Sequence, residues 1–307
     1  MPLFDPAVPT PASPVVKWGK LYGAAAPLAI AEAAVKAGRP LIVIARSTRD
    51  AEALSEEIGF FLGTNTPVRV FPDLETLPYD SFSAHPDITS ARLKTLAELP
   101  RAREGVWVVA IDTLLQRLAP RSYIEAHSLK VHVGETLDLE ALRERLTLAG
   151  YAAVTQVVTH GEFAVRGSLL DVFPMGSDSP YRIDMLDRDV DSIRQFDPDS
   201  QRSGDKLERI QLLPARETPL SPDAVREFQL AIAADPSNDR AMSSYYKLAQ
   251  AYRQLHQAQA AQEAMQNFQR MRGQVKEQRD NKAAQIVRKR TELPVDDKDK
   301  TGLPASP

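Results

Sequence analysis

The residues whose types and spacing could do chemistry lie in two short alternating stretches of this 307-residue chain. In Tyr181-Arg182-Ile183-Asp184-Met185-Leu186, a period of two puts Tyr181, Ile183 and Met185 on one face of a strand and Arg182, Asp184 and Leu186 on the other. In Glu162-Phe163-Ala164-Val165-Arg166, Phe163 and Val165 face inward, while Glu162, Ala164 and Arg166 face outward. Guanidinium forks bind carboxylates in a bidentate fashion, and large apolar groups anchor interfaces. Two arginines and a leucine on the outer faces of neighbouring strands therefore suit protein docking. Taken alone, these residues also fit an ordinary solvated sheet face with one stray leucine.

Other chemistries find less support. A phosphate-binding loop needs glycine-rich backbone followed by Lys and Ser/Thr. The one place for it is Gly19-Lys20-Leu21-Tyr22-Gly23-Ala24-Ala25-Ala26-Pro27, where Gly19 and Gly23 are present but Ala24 to Ala26 offer neither charge nor metal ligand. This reads as a degenerate loop leading into a helix, and no cofactor is expected. The histidines, at positions 85, 127, 132, 160 and 256, show no i, i+4 pair of the zinc-protease kind, and there is no cysteine to serve as nucleophile or thiolate ligand. No catalytic carboxylate pair can be assigned. A nucleotide hydrolase is the enzymatic alternative, and a titration with ATP would test it. For nucleic acid, the dense basic run is Arg288-Lys289-Arg290, near the end of an otherwise polar tail.

The elements that must position the two stretches follow from the hydrophobic pattern. Residues 1–14 hold five prolines and read as a disordered leader. Helix-compatible sequence at 24–37 precedes Leu41-Ile42-Val43-Ile44-Ala45, which reads as a fully buried parallel strand. A helix at 50–62 capped by Ser47 or Thr48, a strand at 68–71, a helix at 89–99, a strand at 106–110 and a helix capped by Asp112 or Thr113 and running to Leu118 complete an alternating α/β pattern. Residues 120–205 read as α+β, with a helix over 137–149 followed by strands at 162–166, 169–173, 181–186 and 192–196. From Pro219 the pattern is helical. No apolar run reaches the roughly 18 residues of a membrane span, and the N-terminus lacks the pattern of a signal peptide, which fits a cytoplasmic protein.

Composition changes at the same place. Residues 1–218 carry 24 Lys+Arg against 30 Asp+Glu, and residues 219–307 carry 14 against 11. Glutamine occurs 3 times in the first 200 residues and 13 times in the last 107. Two kinds of sequence meet near residue 218. The acidic balance of the first disfavours attraction to phosphate backbones.

The blocks Leu74-Glu75-Thr76-Leu77-Pro78-Tyr79-Asp80-Ser81-Phe82-Ser83, Ser90-Ala91-Arg92-Leu93, His160 to Pro174 (including Gly161-Glu162-Phe163 and Arg166-Gly167) and Pro180 to Asp184, continued by Phe196 to Arg202, resemble the N-terminal module of the bacterial transcription-repair coupling factor (Mfd) family across about residues 15–216. The Gly-Glu-Phe…Arg-Gly…Asp…Phe-Pro part is shared more widely with UvrB, the excision-repair helicase. The resemblance implies a RecA-like domain over 15–119 with a degenerate P-loop, and a smaller α+β UvrA-interaction domain over 120–205. Residues 206–218 would then begin a return to the first domain. It further implies that Arg166 and Arg182 contact UvrA, the damage-recognition ATPase, with Leu186 where the family commonly has Phe.

A full coupling factor continues into the rest of its first domain, an RNA-polymerase-binding domain and a DNA translocase motor. This sequence departs from that after Pro214-Ala215-Arg216-Glu217. In the family a C-terminal domain masks the UvrA-binding face at rest, so that face is expected to be permanently exposed here. Residues 219–275 instead resemble tetratricopeptide helices: Ala224, Phe228, Ala231 and Asp235-Pro236, then Leu248, Ala249, Tyr252 and Leu255, with Ala261, Ala264 and Phe268 repeating the Ala…Phe spacing 40 residues on. The standard period is 34, and a plain helical hairpin fits as well. Residues 276–307 read as a charged helix end and a disordered tail. The expectation is a non-enzymatic adaptor that binds UvrA, with a further protein partner for the helices. The alternative is a tetratricopeptide-type scaffold carrying a relic or artefactually fused repair module.

Overall fold

The structure, a computed structural model, describes residues 3–64, 66–76, 84–217, 222–236, 239–255 and 257–291. The block at 77–83 and the tail at 292–307 lie outside the described residues. The chain divides into two compact units, Met1–Pro219 and Leu220–Pro307, each taken by itself below.

The first unit opens with a parallel α/β layer: α1 (Ala25–Ala37), β1 (Leu41–Ala45), α2 (Thr48–Leu62), β2 (Val68–Phe71), α3 (Pro86–Glu98), β3 (Val106–Ala110) and the single turn α4 (Ile111–Leu114). The strands run parallel in the order β1-β3-β2, with Leu41 and Val68 both opposite Val106. Alanines on α1 let it lie close to α2, and Ala31, Ala34, Ala51 and Ile58 pack on Val106 and Val108. Ser47 caps α2 by accepting from the Asp50 N–H at 3.1 Å. The strands fall where the alternating pattern put them.

Four expectations are corrected in this layer. Only one face of β1 is covered: Ile42 and Ile44 are half exposed because β1 is the sheet edge and α1 and α2 cover the opposite face. Helix α3 starts a turn earlier than Thr89, at Pro86, whose fixed φ suits a first helical position. Helix α4 stops at Leu114, and neither Asp112 nor Thr113 caps it: both lie within the helix, whose N-cap position is Ala110, and the Thr113 hydroxyl donates to Asp73 at 3.1 Å. The leader, expected to be disordered, lies against α1 from residue 3. Glu32 accepts from the backbone N–H groups of Leu3, Phe4 and Asp5, Lys36 meets Asp5 at 2.7 Å, and Trp18 donates to the Ala7 carbonyl at 2.8 Å. Successive N–H groups around one carboxylate form an anion cradle, which holds a segment with no ladder of its own.

The α+β part follows with α5 (Arg121–His127), β4 (Leu129–His132), α6 (Leu139–Leu148), β5 (Ala152–Ala153), β6 (Glu162–Arg166), β7 (Leu169–Val172), β8 (Tyr181–Leu186), β9 (Asp189–Phe196), β10 (Ser203–Leu207) and β11 (Arg209–Leu212). Six strands form one sheet in the order β10-β9-β8-β7-β6-β5, and β11 pairs with β4 in a separate antiparallel ribbon. Asp138 caps α6, accepting from the N–H groups of Glu140 and Ala141 at 3.0 and 3.1 Å. Leu142 and Leu146 of α6 pack with Phe163, Leu170, Ile183 and Ile193 from one sheet face, and Leu93 of α3 belongs to the same core.

Residues 206–218 are expected to begin a return to the first layer, but residues 206–215 finish the second. Once Ile210 and Leu212 are drawn into the core beside Val131, the strand has its partner in β4. The Tyr151 hydroxyl donates to the Leu213 carbonyl at 2.7 Å, and the Ala215 N–H donates to Ala149 at 2.8 Å. At Glu217 the chain meets the α/β layer again, through the fully buried Arg92 of α3. Arg92 forms a two-point ion pair with Glu217, donates to the Pro72 carbonyl at 2.6 Å and lies 4.4 Å from the centre of the Phe71 ring.

The second unit consists of α7 (Pro222–Ala234), α8 (Asp239–Gln254) and α9 (Ala258–Thr291). Leu248, Ala249 and Ala264 are buried among Phe228, Ile232, Tyr252 and Met265, and the Tyr246 and Phe268 rings meet at 5.2 Å. Ala231, expected on the packed face, is exposed. Helix α9 continues for 34 residues, well beyond the fading of its apolar face near Gly273, because Gln, Lys, Arg, Glu and Ala are strong helix formers.

Candidate protein-docking site

The outer face of the six-stranded sheet is set by the pairing of β6, β7, β8 and β9. The hairpin between β6 and β7 turns on Gly167, whose φ of +63° is open to glycine at little cost, and this places Arg166 directly opposite Leu169. One rung further in, Ala164 faces Asp171, Asp171 faces Arg182, Arg182 faces Arg194 and Arg194 faces Lys206. Directly opposed residues share a face, so this row runs across the sheet on the side away from the main core.

Asp171 is the centre of the row. Its side chain has 0 % exposure, yet it carries a carboxylate. Arg182 grips it at two points, Nε to Oδ1 at 2.7 Å and Nη2 to Oδ2 at 2.9 Å, and Arg166 donates to Oδ2 from the neighbouring strand. Arg182 spends its remaining Nη1 donors on the Ser203 hydroxyl at 3.2 Å and the Gln201 carbonyl at 3.3 Å, and its guanidinium stacks 4.9 Å from the centre of the Phe196 ring. The hydrogen bond to Asp171 raises the Arg182 pKa above its ordinary value, against the opposing effect of burial. The side chain of Arg182 is 18 % exposed and that of Arg166 is 49 % exposed.

Part of this face is not solvated, as the alternation had implied. Ala164 is buried with Val157, Phe173 and Phe196 in a second small core. Leu186 is 68 % exposed at the end of β8, just before the turn at Asp187. The structure thus brings Arg166 and Arg182 together through Asp171 and sets Leu186 further along the same face of β8. Sequence reasoning missed Asp171, Arg194 and Lys206. The available signal was parity, because Asp171 alternates with the buried Leu170 and Val172 and falls opposite Arg182.

The other sequence-derived sites gather no comparable cluster. Gly19, Gly23 and Ala24 are exposed in the segment before α1, and no strand leads into it among the described residues. His160 is a bridging residue: Nδ1 lies 2.7 Å from Asp87 and Nε2 lies 2.7 Å from the Ser177 carbonyl. Among the described residues no group of three or more His, Cys, Asp or Glu is arranged to hold a metal ion, and no helix is long and apolar enough to cross a membrane.

A family model described as the UvrB interaction domain matches residues 129–217, from the first residue of β4 to the partner of Arg92. That stretch is similar to the UvrB interaction domain. It is also similar to three proteins named transcription-repair-coupling factor. That of Escherichia coli K12 is 47 % identical over 211 residues, covering 69 % of this chain and 18 % of the relative. That of Haemophilus influenzae is 42 % identical over 226 residues, covering 74 % and 20 %. That of Myxococcus xanthus is 36 % identical over 188 residues, covering 59 % and 16 %. The resemblance to the UvrB-homology module of the coupling factor is borne out. The chain spans about a fifth of the length of these curated relatives. The matched stretch ends at residue 217, before α7.

Proposed function

We propose that the chain is a protein-binding module of transcription-coupled nucleotide excision repair that docks UvrA through the outer face of β6 to β9. The observation that carries this reading is the pairing of Arg166 and Arg182 on one buried carboxylate, with Leu186 exposed on the same face. The UvrB interaction domain supports it, because that domain contributes every residue of the face. Its action is binding, by charge-assisted hydrogen bonds to carboxylates of the partner around an apolar contact at Leu186. In this reading residues 15–119 are a RecA-like layer that has lost its phosphate-binding chemistry. The helices of 222–291 offer a tetratricopeptide-like surface to a second protein.

Titrating the full chain against purified UvrA tests the reading. The wild type binds, and Arg166→Ala combined with Arg182→Ala weakens binding at least tenfold, since losing even one charge-assisted pair costs about 1.5 kcal/mol or more. Undetectable wild-type binding, or binding indifferent to the double substitution, overturns it. The scaffold reading is favoured by one observation, the separate core of α7 to α9. It requires that removing residues 222–307 abolish the physiological interaction while removing 1–217 leaves it intact.

A further inference from the structure

We propose that Asp171 is the positioning residue of the docking face, holding Arg182 as an internal post and aiming Arg166 at an acidic group of the partner. This division of labour rests on the UvrA-docking reading. The two arginines, equivalent by sequence parity, are unlike in their surroundings. Four of the five N–H donors of Arg182 are directed at Asp171, Ser203 and Gln201, and its flat face is covered by Phe196. Arg166 gives one donor to Asp171 and is about half exposed, and no other partner is seen for it among the described residues.

A planar fork already filled on its Asp171 side and stacked on a ring has little left for a second carboxylate. The half-exposed fork, tied at one corner, is held in one orientation at little further cost in side-chain freedom when it binds. Asp171 also sets the charge of the face. Two guanidinium groups and one carboxylate sum to a single positive charge, and burying the carboxylate without both arginines would be costly.

The test is a kinetic one on the full chain with UvrA, at low and moderate salt, with a thermal melt for each variant. In Asp171→Asn the dissociation rate rises about tenfold or more because Arg166 is no longer aimed. Association at low salt is no slower than wild type, since the three groups now sum to two positive charges. A structural role alone would lower the active fraction and leave both rates unchanged. A double-mutant cycle keeps the inference testable should Asp171→Asn fail to fold. Arg182→Ala weakens the wild type but adds little in an Arg166→Ala background, because its effect runs through Arg166. Additive losses in the cycle, or wild-type rates in a folded Asp171→Asn, overturn the inference while leaving the docking reading intact. Failure of the wild type to bind overturns both.

Discussion

Leu186 is an exposed side chain of the proposed docking face on which a substitution reads binding apart from stability. Leu186→Phe adds apolar area worth roughly 1 kcal/mol if the partner covers it, so UvrA binding is expected to tighten about fivefold. Leu186→Ala should weaken it by a similar or larger factor, and neither change should move the melting temperature by more than a degree or two, because the residue makes few contacts in the free protein. Two buried phenols give a prediction for pH. Burial pushes the Tyr123 hydroxyl up to about 12, against the nearby Arg216 charge, and raises that of Tyr151 as well. Both stay protonated in the fold while the unfolded chain ionises near 10. Their contribution is therefore complete below pH 10 and falls above it by about 1.4 kcal/mol per pH unit for each tyrosine. Urea melts between pH 9 and 11.5 should show this slope, and Tyr151→Phe should roughly halve it. At this scale alternation put Arg166, Arg182 and Leu186 on the outer faces of their strands, and only the family resemblance gave them a role. Alternation hid Asp171, because outward parity normally means solvent, whereas here Arg182 from the next strand closes over the carboxylate.

Among the elements, those with strong local signals form as their residues dictate. The cap at Asp138 holds two N–H groups of α6. Asp138→Ala is expected to cost about 1 kcal/mol, seen as a lower urea midpoint with an unchanged slope. The strands β1, β2 and β3 were readable as apolar runs between turns. The elements α5, β4, β5, β10 and β11 were not, and the reason is physical. Leu129-Lys130-Val131-His132 and Arg209-Ile210-Gln211-Leu212 each alternate for only four residues. Each becomes a strand because the other lies opposite, a condition that no local window contains. The half-exposed Ile42 and Ile44 teach the converse: an apolar run guarantees a strand but does not say how many of its faces are covered.

Over the whole molecule, the change in composition near residue 218 coincides with the division into two units, so that boundary was legible. The internal boundary of the first unit was not, since residues 206–215 close the α+β part and Glu217 reaches back to pair with Arg92 of the α/β layer. Arg92 is a buried ionic tie between them. Removing one partner of a buried ion pair leaves the other uncompensated, so Arg92→Ala should destabilise the first unit by about 3–5 kcal/mol in urea unfolding. A chain ending at Glu217 should keep both the melting transition of the first unit and the binding to UvrA. The pairing of β4 with β11 also sets a schedule for synthesis. As the polypeptide emerges, Leu129–His132 waits with an open edge and an uncovered apolar face until Arg209–Leu212 follows, a delay of several seconds at about 5–20 residues per second. A message broken within that interval yields a sticky, unclosed product, whereas one broken after codon 217 still delivers a finished sheet with the proposed docking face.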